Sequence, residues 1–188
     1  MNQQIKNLQY SEDWFNYQRF YDEIASKKFN VLVELGTWKG HSISYLGKRL
    51  LEQSYDFKLY GVDLFDDSYI HTKEGNSHLA SQMKYIYDVY NQNLIDAGVR
   101  EVIKDIKGNT WEVASQFEDN SVDFVFIDAD HNYESVKKDI LSWLPKMKKG
   151  GIMSGHDYFN NTCGVKQAVD EIFPNVVIGT NNIWMIEI

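Results

Sequence analysis

The sequence predicts an α/β protein built on a doubly wound, mostly parallel sheet, and three observations carry that expectation. Short apolar runs alternate with stretches of helical period along the chain. Val31, Leu32, Val33 and Leu35 form a nearly continuous apolar run, as a parallel strand covered on both faces requires. That run meets Gly36 and then Gly40, so the backbone can turn sharply and approach a ligand before a helix begins near Lys39.

The remaining elements follow in order. Residues 10–28 place Trp14, Phe15, Tyr17, Phe20, Tyr21 and Ile24 at helical spacing, with Ser11 as the expected cap and the aromatic face as core. A helix over 39–52 turns Ile43, Leu46 and Leu50 inward and leaves His41 on its solvated face. The apolar run from Phe57 to Val62 is the second strand, closed by Asp63. Residues 64–80 have no clean period and read as a long loop, either a substrate-contacting lid or a surface insertion, with His71 and His78 solvated. A helix over 77–97 stops at Gly98, and a third strand covers 99–106. Gly108, Asn109 and Thr110 turn into a helix through Phe117, on which Trp111 stacks on a base or simply packs.

The most apolar strand, Val122 to Ile127, runs into Asp128, Ala129, Asp130 and His131. A helix over 132–147 comes next, with Asp130 as a candidate cap and Lys146, Lys148 and Lys149 placed to suit the negative end of its dipole. Gly150 and Gly151 lead into a strand over 152–154 that ends at His156 and Asp157. A helix at 165–172, a strand at 176–178, a turn at 179–182 and a strand at 183–188 close the chain as a hairpin.

Composition narrows the function. With 188 residues and 43% of them apolar, the expectation is one domain over 1–188. A net charge of -8 argues against a nucleic-acid partner, which needs a basic face. Cys163 is the single cysteine, so no internal disulfide forms. No leader-like segment and no apolar run of ~20 residues is present, so a cytoplasmic protein with no membrane partner is expected. A homo-oligomer is left open.

The turn after the first strand selects among cofactors. A dinucleotide fingerprint needs a middle glycine where backbone amides meet a pyrophosphate, and Trp38 stands there instead. Glu34 at the strand end would repel phosphate but could hold a ligand's ammonium group, as S-adenosylmethionine carries. Asp63 lies 27 residues beyond Gly36, near the spacing at which an acid meets a ribose diol.

Glu34, Gly36, Trp38, Gly40 and Ser42, followed by Asp63, resemble the first two motifs of class I S-adenosylmethionine-dependent methyltransferases. FVFIDADHNYESVKKDI and GGIMSGHDY are similar to the small metal-dependent O-methyltransferases of the catechol and macrolide-sugar types. The resemblance spans residues 31–158 and implies a Rossmann-like sheet of seven strands with an antiparallel C-terminal strand. It implies that Ser42 and Trp38 hold the methionine carboxylate, that Asp63 takes the ribose hydroxyls, and that Asn109 and Thr110 meet the adenine edge. A plain helix cap by Asn109 or Thr110 is the alternative. The N-terminal helical segment, 1–28, and the 64–80 loop become candidate lid elements.

Open α/β sheets bind ligands outside the carboxyl ends of their strands, where Glu34, Asp63, Asp128 and Asp157 all fall. A buried, unpaired carboxylate costs several kcal/mol, so Asp128 needs a cation, a metal or a hydrogen-bonding ligand. Strands four and five should be neighbours about 4.8 Å apart, which makes Asp128 and Asp157 a candidate metal pair, with Asp128 also beside the cofactor. His156 stands where both resembled types carry Asp; an imidazole there would favour Mn²⁺ or Fe²⁺ over Mg²⁺. His131 lies where the catechol type has its catalytic lysine and is the first candidate for general base, with Asp128 second. A helix-capping or cofactor-bonding role for His131 is the competing reading. The leading expectation is metal-assisted O-methylation of a small hydroxylated acceptor, a sugar or secondary metabolite. Metal-independent transfer, a non-catalytic cofactor-binding module acting through partners, and a nicotinamide-dependent reductase are the alternatives, the last opposed by Trp38.

Overall fold

The structure, a computed structural model, describes residues 14–65, 84–160 and 164–188. The expected cap Ser11, most of the 64–80 loop with His71 and His78, the start of the helix predicted from 77, and Cys163 lie outside the described residues. The elements run α1 (Gln18–Ser26), β1 (Val31–Leu35), α2 (His41–Glu52), β2 (Lys58–Asp63), α3 (Ile86–Ala97), β3 (Ile103–Lys107), α4 (Thr110–Val113), β4 (Val122–Ile127), α5 (Tyr133–Trp143), β5 (Met147–Gly155), α6 (Val165–Ile172), β6 (Val177–Ile178) and β7 (Trp184–Glu187). Among the described residues seven strands form one sheet in the order β3-β2-β1-β4-β5-β7-β6. The first five are mutually parallel, and β7 pairs antiparallel with both β5 and β6. This is the expected doubly wound, Rossmann-like sheet.

Alternate side chains of the central strands enter opposite cores, as the two-residue period of a strand dictates. Val33, Leu35, Val125 and Ile127 join Val136, Ile140 and Trp143 of α5 and Val165 and Val169 of α6 on one face. Leu32, Phe124 and Phe126 join Tyr21 and Ile24 of α1, Ile43 and Leu46 of α2 and Tyr90 and Leu94 of α3 on the other. Leu32, Phe124 and Phe126 have no exposed surface, and each such side chain contributes about 1.5–3 kcal/mol over leaving it in water. At the opposite edge from the site, Asp123 gathers the starts of β1 and β5: its Oδ2 accepts from Asn30 N at 3.1 Å and Val31 N at 2.9 Å, and Lys148 Nζ lies at 2.9 Å. No helix among the described residues is long and apolar enough to cross a membrane.

Several element boundaries differ from the expectation. Residues 14–17 are not helical, and α1 starts at Gln18. The helix after β4 ends at Trp143, and Leu144–Lys146 form a 3-10 turn around Pro145, which has no amide proton to continue the helix. Lys148 and Lys149 consequently sit on β5 rather than at a helix end. β5 runs over nine residues, through Gly150 at φ +79°. The third strand starts four residues later than predicted, after a 3-10 turn at Arg100–Val102. Asn132, not Asp130, caps α5 by accepting from Ser135 N at 3.0 Å, and Asp130 accepts from the Ser135 hydroxyl at 2.8 Å.

Candidate active site

The turn after β1 is assembled around two acids. Gly36 N donates to Val62 O at 2.8 Å, which brings the turn beside the end of β2. There Asp63 Oδ2 accepts from Thr37 N at 2.8 Å and Trp38 N at 3.0 Å, while its Oδ1 accepts from Phe65 N at 3.1 Å. Burial raises the Asp63 pKa, and these backbone amides oppose the shift. They also hold Trp38 at φ +48°, in the left-handed region. Gly40, at φ +77°, is the left-handed residue from which α2 starts.

Glu34 points into the protein. It is almost fully buried, with Oε2 accepting from Tyr21 Oη at 2.7 Å and Oε1 from the Ser42 hydroxyl. Burial pushes its pKa up to about 8, against the pull of the Ser42 and Tyr21 hydrogen bonds. Ser42, which the resemblance assigns to the methionine carboxylate, therefore has its hydroxyl engaged with Glu34 here. The adjacent Lys39 is buried, its Nζ 5.4 Å from the Trp38 ring centroid.

Gly36 has a second constraint. A β-carbon there would lie 2.2 Å from Asp128 O and 2.5 Å from Ala129 Cα, so only glycine lets the β1 and β4 ends close together. Asp128 N donates to Leu35 O at 2.8 Å across this junction. Because Ile127 is in register with Gly155, Asp128 emerges beside His156.

The acids and imidazoles of β4 and β5 converge. His131 Nε2 lies 3.3 Å from both Asp128 Oδ1 and Asp157 Oδ2. His156 Nδ1 is 3.5 Å from Asp157 Oδ2 and 4.0 Å from Asp128 Oδ1. Burial disfavours charge on His131, but its hydrogen bond with Asp128 and the charges of Asp128 and Asp157 outweigh this and raise its pKa. His156 shows the same balance: burial lowers its pKa, while Asp157 and Asp128 raise it further. The Asp157 carboxyl is held below the usual range by its hydrogen bond with His156, with burial opposing and the charge of His131 adding to it.

One donor atom each from Asp128, His131 and Asp157 falls within 4.8 Å of the others. Two carboxylate oxygens and an imidazole nitrogen suit a divalent ion, and donors about 2.1–2.4 Å from one ion lie at most roughly 4.2–4.8 Å apart, with His131 Nε2 3.3 Å from each carboxylate oxygen. The donor set therefore fits a cation. His156, expected with this group, stands at its margin; its Nε2 is buried with no hydrogen-bond partner among the described residues.

Asn109 and Thr110 are at the start of α4, where no side-chain cap is made. Asn109 Nδ2 donates to Glu112 Oε2 at 3.1 Å, and Thr110 O accepts from Trp143 Nε1 at 2.9 Å. Trp111 packs beneath Lys138 Nζ, 5.2 Å from its ring centroid. Two tyrosines read from sequence as core are polar parts of the site: Tyr21 on Glu34, and Tyr17, whose hydroxyl donates to Asp128 Oδ2 at 3.1 Å. No sequence signal separates them from their packing neighbours.

A seven-stranded sheet with a glycine turn and acids at its carboxyl edge is the architecture expected of a methyltransferase domain. Residues 33–158 match the family described as a methyltransferase domain. The chain belongs to that family. It is 26% identical over 129 residues to the uncharacterized protein y4gI of Sinorhizobium fredii, a match taking in 67% of this chain but only 13% of that protein. Among solved structures it resembles the O-methyltransferase NovP, with a TM-score of 0.68 at 17% identity over 98% of this chain and 78% of NovP. It also resembles an O-methyltransferase of Bacillus cereus in complex with S-adenosylhomocysteine, with a TM-score of 0.65 at 14% identity over 100% of this chain and 92% of that one. At these identities the likeness is one of fold.

Proposed function

We propose that the chain transfers the sulfonium methyl of S-adenosylmethionine to a hydroxyl of a small acceptor, a sugar or secondary metabolite. The observation that carries this is the gathering of Glu34, Asp63, Asp128 and Asp157 at the carboxyl ends of four adjacent strands, with His131 and His156 beside the last two. Glu34 and Asp63 lie on the side where the family holds the cofactor, the ammonium near Glu34 and the ribose near Asp63. Asn109 and Thr110 bound the adenine side, and Gly36, Trp38, Gly40 and Ser42 shape the turn between. The NovP and Bacillus cereus proteins, both described as O-methyltransferases, support oxygen as the acceptor atom.

In the reaction the acceptor oxygen attacks the methyl carbon in line, the carbon–sulfur bond breaks, and S-adenosylhomocysteine leaves. The acceptor proton goes to His131 Nε2 or to Asp128, both beyond the carboxyl end of β4. Asp128, His131 and Asp157 would hold a divalent cation, with His156 supporting Asp157. Such an ion lowers the pKa of a bound hydroxyl and orients it. One imidazole nitrogen cannot hold a cation and accept a proton at once, so chelation decides which task His131 performs.

The test is calorimetric titration with S-adenosylhomocysteine, with NADH in parallel, followed by turnover of a panel of sugar and phenolic acceptors before and after exhaustive chelation. Binding of S-adenosylhomocysteine with turnover restored by Mg²⁺, Mn²⁺ or Fe²⁺ is the expected result. Binding of NADH alone would overturn the reading, and full turnover after chelation would remove the metal from it.

A further inference from the structure

We infer that Tyr17 is a positioning residue: its hydroxyl fixes the Asp128 carboxylate so that one oxygen is held by the N-terminal segment and the other faces His131 and Asp157. This rests on the reading of Asp128 as a working group of the methyl-transfer site.

The geometry divides the two oxygens of Asp128. Oδ2 accepts from Tyr17 Oη at 3.1 Å, while Oδ1 lies 3.3 Å from His131 Nε2 and 4.0 Å from His156 Nδ1. A carboxylate otherwise free to turn about its side-chain torsions is thereby given one outward oxygen. Tyr17 is itself held. It is 5% exposed, and its ring centroid lies 4.9 Å from that of Phe126, 5.2 Å from that of Tyr21 and 5.1 Å from that of the His156 imidazole. Tyr17 thus touches both the acid ending β4 and the imidazole following β5.

The backbone on either side carries the same coupling. Asn181 Nδ2, in the turn between β6 and β7, donates to Asn16 O. The neighbouring Asn182 O accepts from Tyr158 N at 3.0 Å, one residue beyond Asp157. The β6–β7 turn therefore ties the chain just before Tyr17 to the loop bearing Asp157. Partners behind a ligand-bearing side chain govern its orientation, and losing one costs ~10–100-fold in metal affinity or activity.

The experiment compares wild-type protein with Tyr17→Phe, which keeps the ring and removes only the hydroxyl. Tyr45→Phe, which removes a hydroxyl that donates to Asp22 Oδ1 at 2.9 Å away from the site, is the control. Mn²⁺ affinity is measured in the presence of S-adenosylhomocysteine, and imidazole ¹⁵N shifts of labelled histidines are recorded without metal. Tyr17→Phe is expected to bind Mn²⁺ ~10–100-fold more weakly and to displace the His131 signals, while Tyr45→Phe leaves both near the wild-type values. Unchanged affinity and shifts in Tyr17→Phe would overturn the inference, as would equal losses in both variants. If wild-type protein binds S-adenosylhomocysteine but no Mn²⁺, the metal part of the proposed function falls. Tyr17 is then decided by the imidazole shifts alone: a displacement specific to Tyr17→Phe supports it and no displacement overturns it.

Discussion

Glu34 and Asp63, ending β1 and β2, have their oxygens met by donors of the protein itself, whereas Asp128 and Asp157, ending β4 and β5, face two imidazoles. On the first side, hydroxyls of Tyr21 and Ser42 satisfy Glu34, and amides of Thr37, Trp38 and Phe65 satisfy Asp63. On the second side, Asp128 Oδ2 accepts from Tyr17 Oη and Asp157 Oδ1 from Asn160 Nδ2 at 3.4 Å, while Asp128 Oδ1 and Asp157 Oδ2 each sit 3.3 Å from a single imidazole nitrogen. The first half is a preformed cradle; the second is an arrangement of charges that a ligand or cation would complete. Since Gly36 packs against Asp128 O, the halves share one backbone junction.

The largest effect should come from the second half. His131→Ala should lower turnover ~10²–10⁴-fold, as loss of a positioned proton acceptor does, while S-adenosylhomocysteine affinity measured by calorimetry changes little. A collapse of cofactor affinity instead would place His131 in the first half and break the division. The junction comes next. Gly36→Ala meets both a left-handed backbone and a backbone contact at 2.2 Å, and should cost roughly 2–4 kcal/mol in urea denaturation, with cofactor and metal binding lost together. Retention of either one would show that the halves are less coupled than their contact implies.

Asp63→Ala should weaken S-adenosylhomocysteine binding by roughly 1.5–3 kcal/mol, the worth of hydrogen bonds to a charged group, without altering Mn²⁺ affinity. The smallest effect is a proton. Glu34 has its pKa raised from 4.5 to about 8, so the folded chain holds this proton more tightly than the unfolded chain. Its contribution to stability is therefore present in acid and falls as pH rises from about 4.5 towards about 8. A cofactor ammonium beside Glu34 would favour the carboxylate, and binding near pH 7 should release a fraction of a proton. Titrations in buffers of different ionisation enthalpy read that release directly; its absence would remove Glu34 from contact with the ammonium.

The central elements were legible because their causes are local. β1, β2 and β4 are apolar runs bounded by glycine or acid, and the structure places them within a residue of the expected limits. β5 was misjudged because Lys148, Lys149 and Gly150 carry no apolar signal. Their strand conformation comes from partners: Gly150 N donates to Ile188 O at 2.6 Å, and Ile188 N to Gly151 O at 2.9 Å. The same limit hid Tyr17 and Tyr21, since an aromatic helix face looks identical whether its hydroxyls meet water or a buried acid.

The sequence by itself determined the alternation of strands and helices and the presence of an acid at the end of each site-bearing strand, because hydrophobic period and turn chemistry are properties of neighbouring residues. Only the tertiary structure decided that Gly36 is required by the backbone of β4, that Ser42 serves Glu34, and that His131 bridges Asp128 and Asp157. Those outcomes depend on which strand ends lie side by side and which way each carboxylate turns. They are set by contacts between residues as far apart as Tyr17 and Asp128, which no local spacing records.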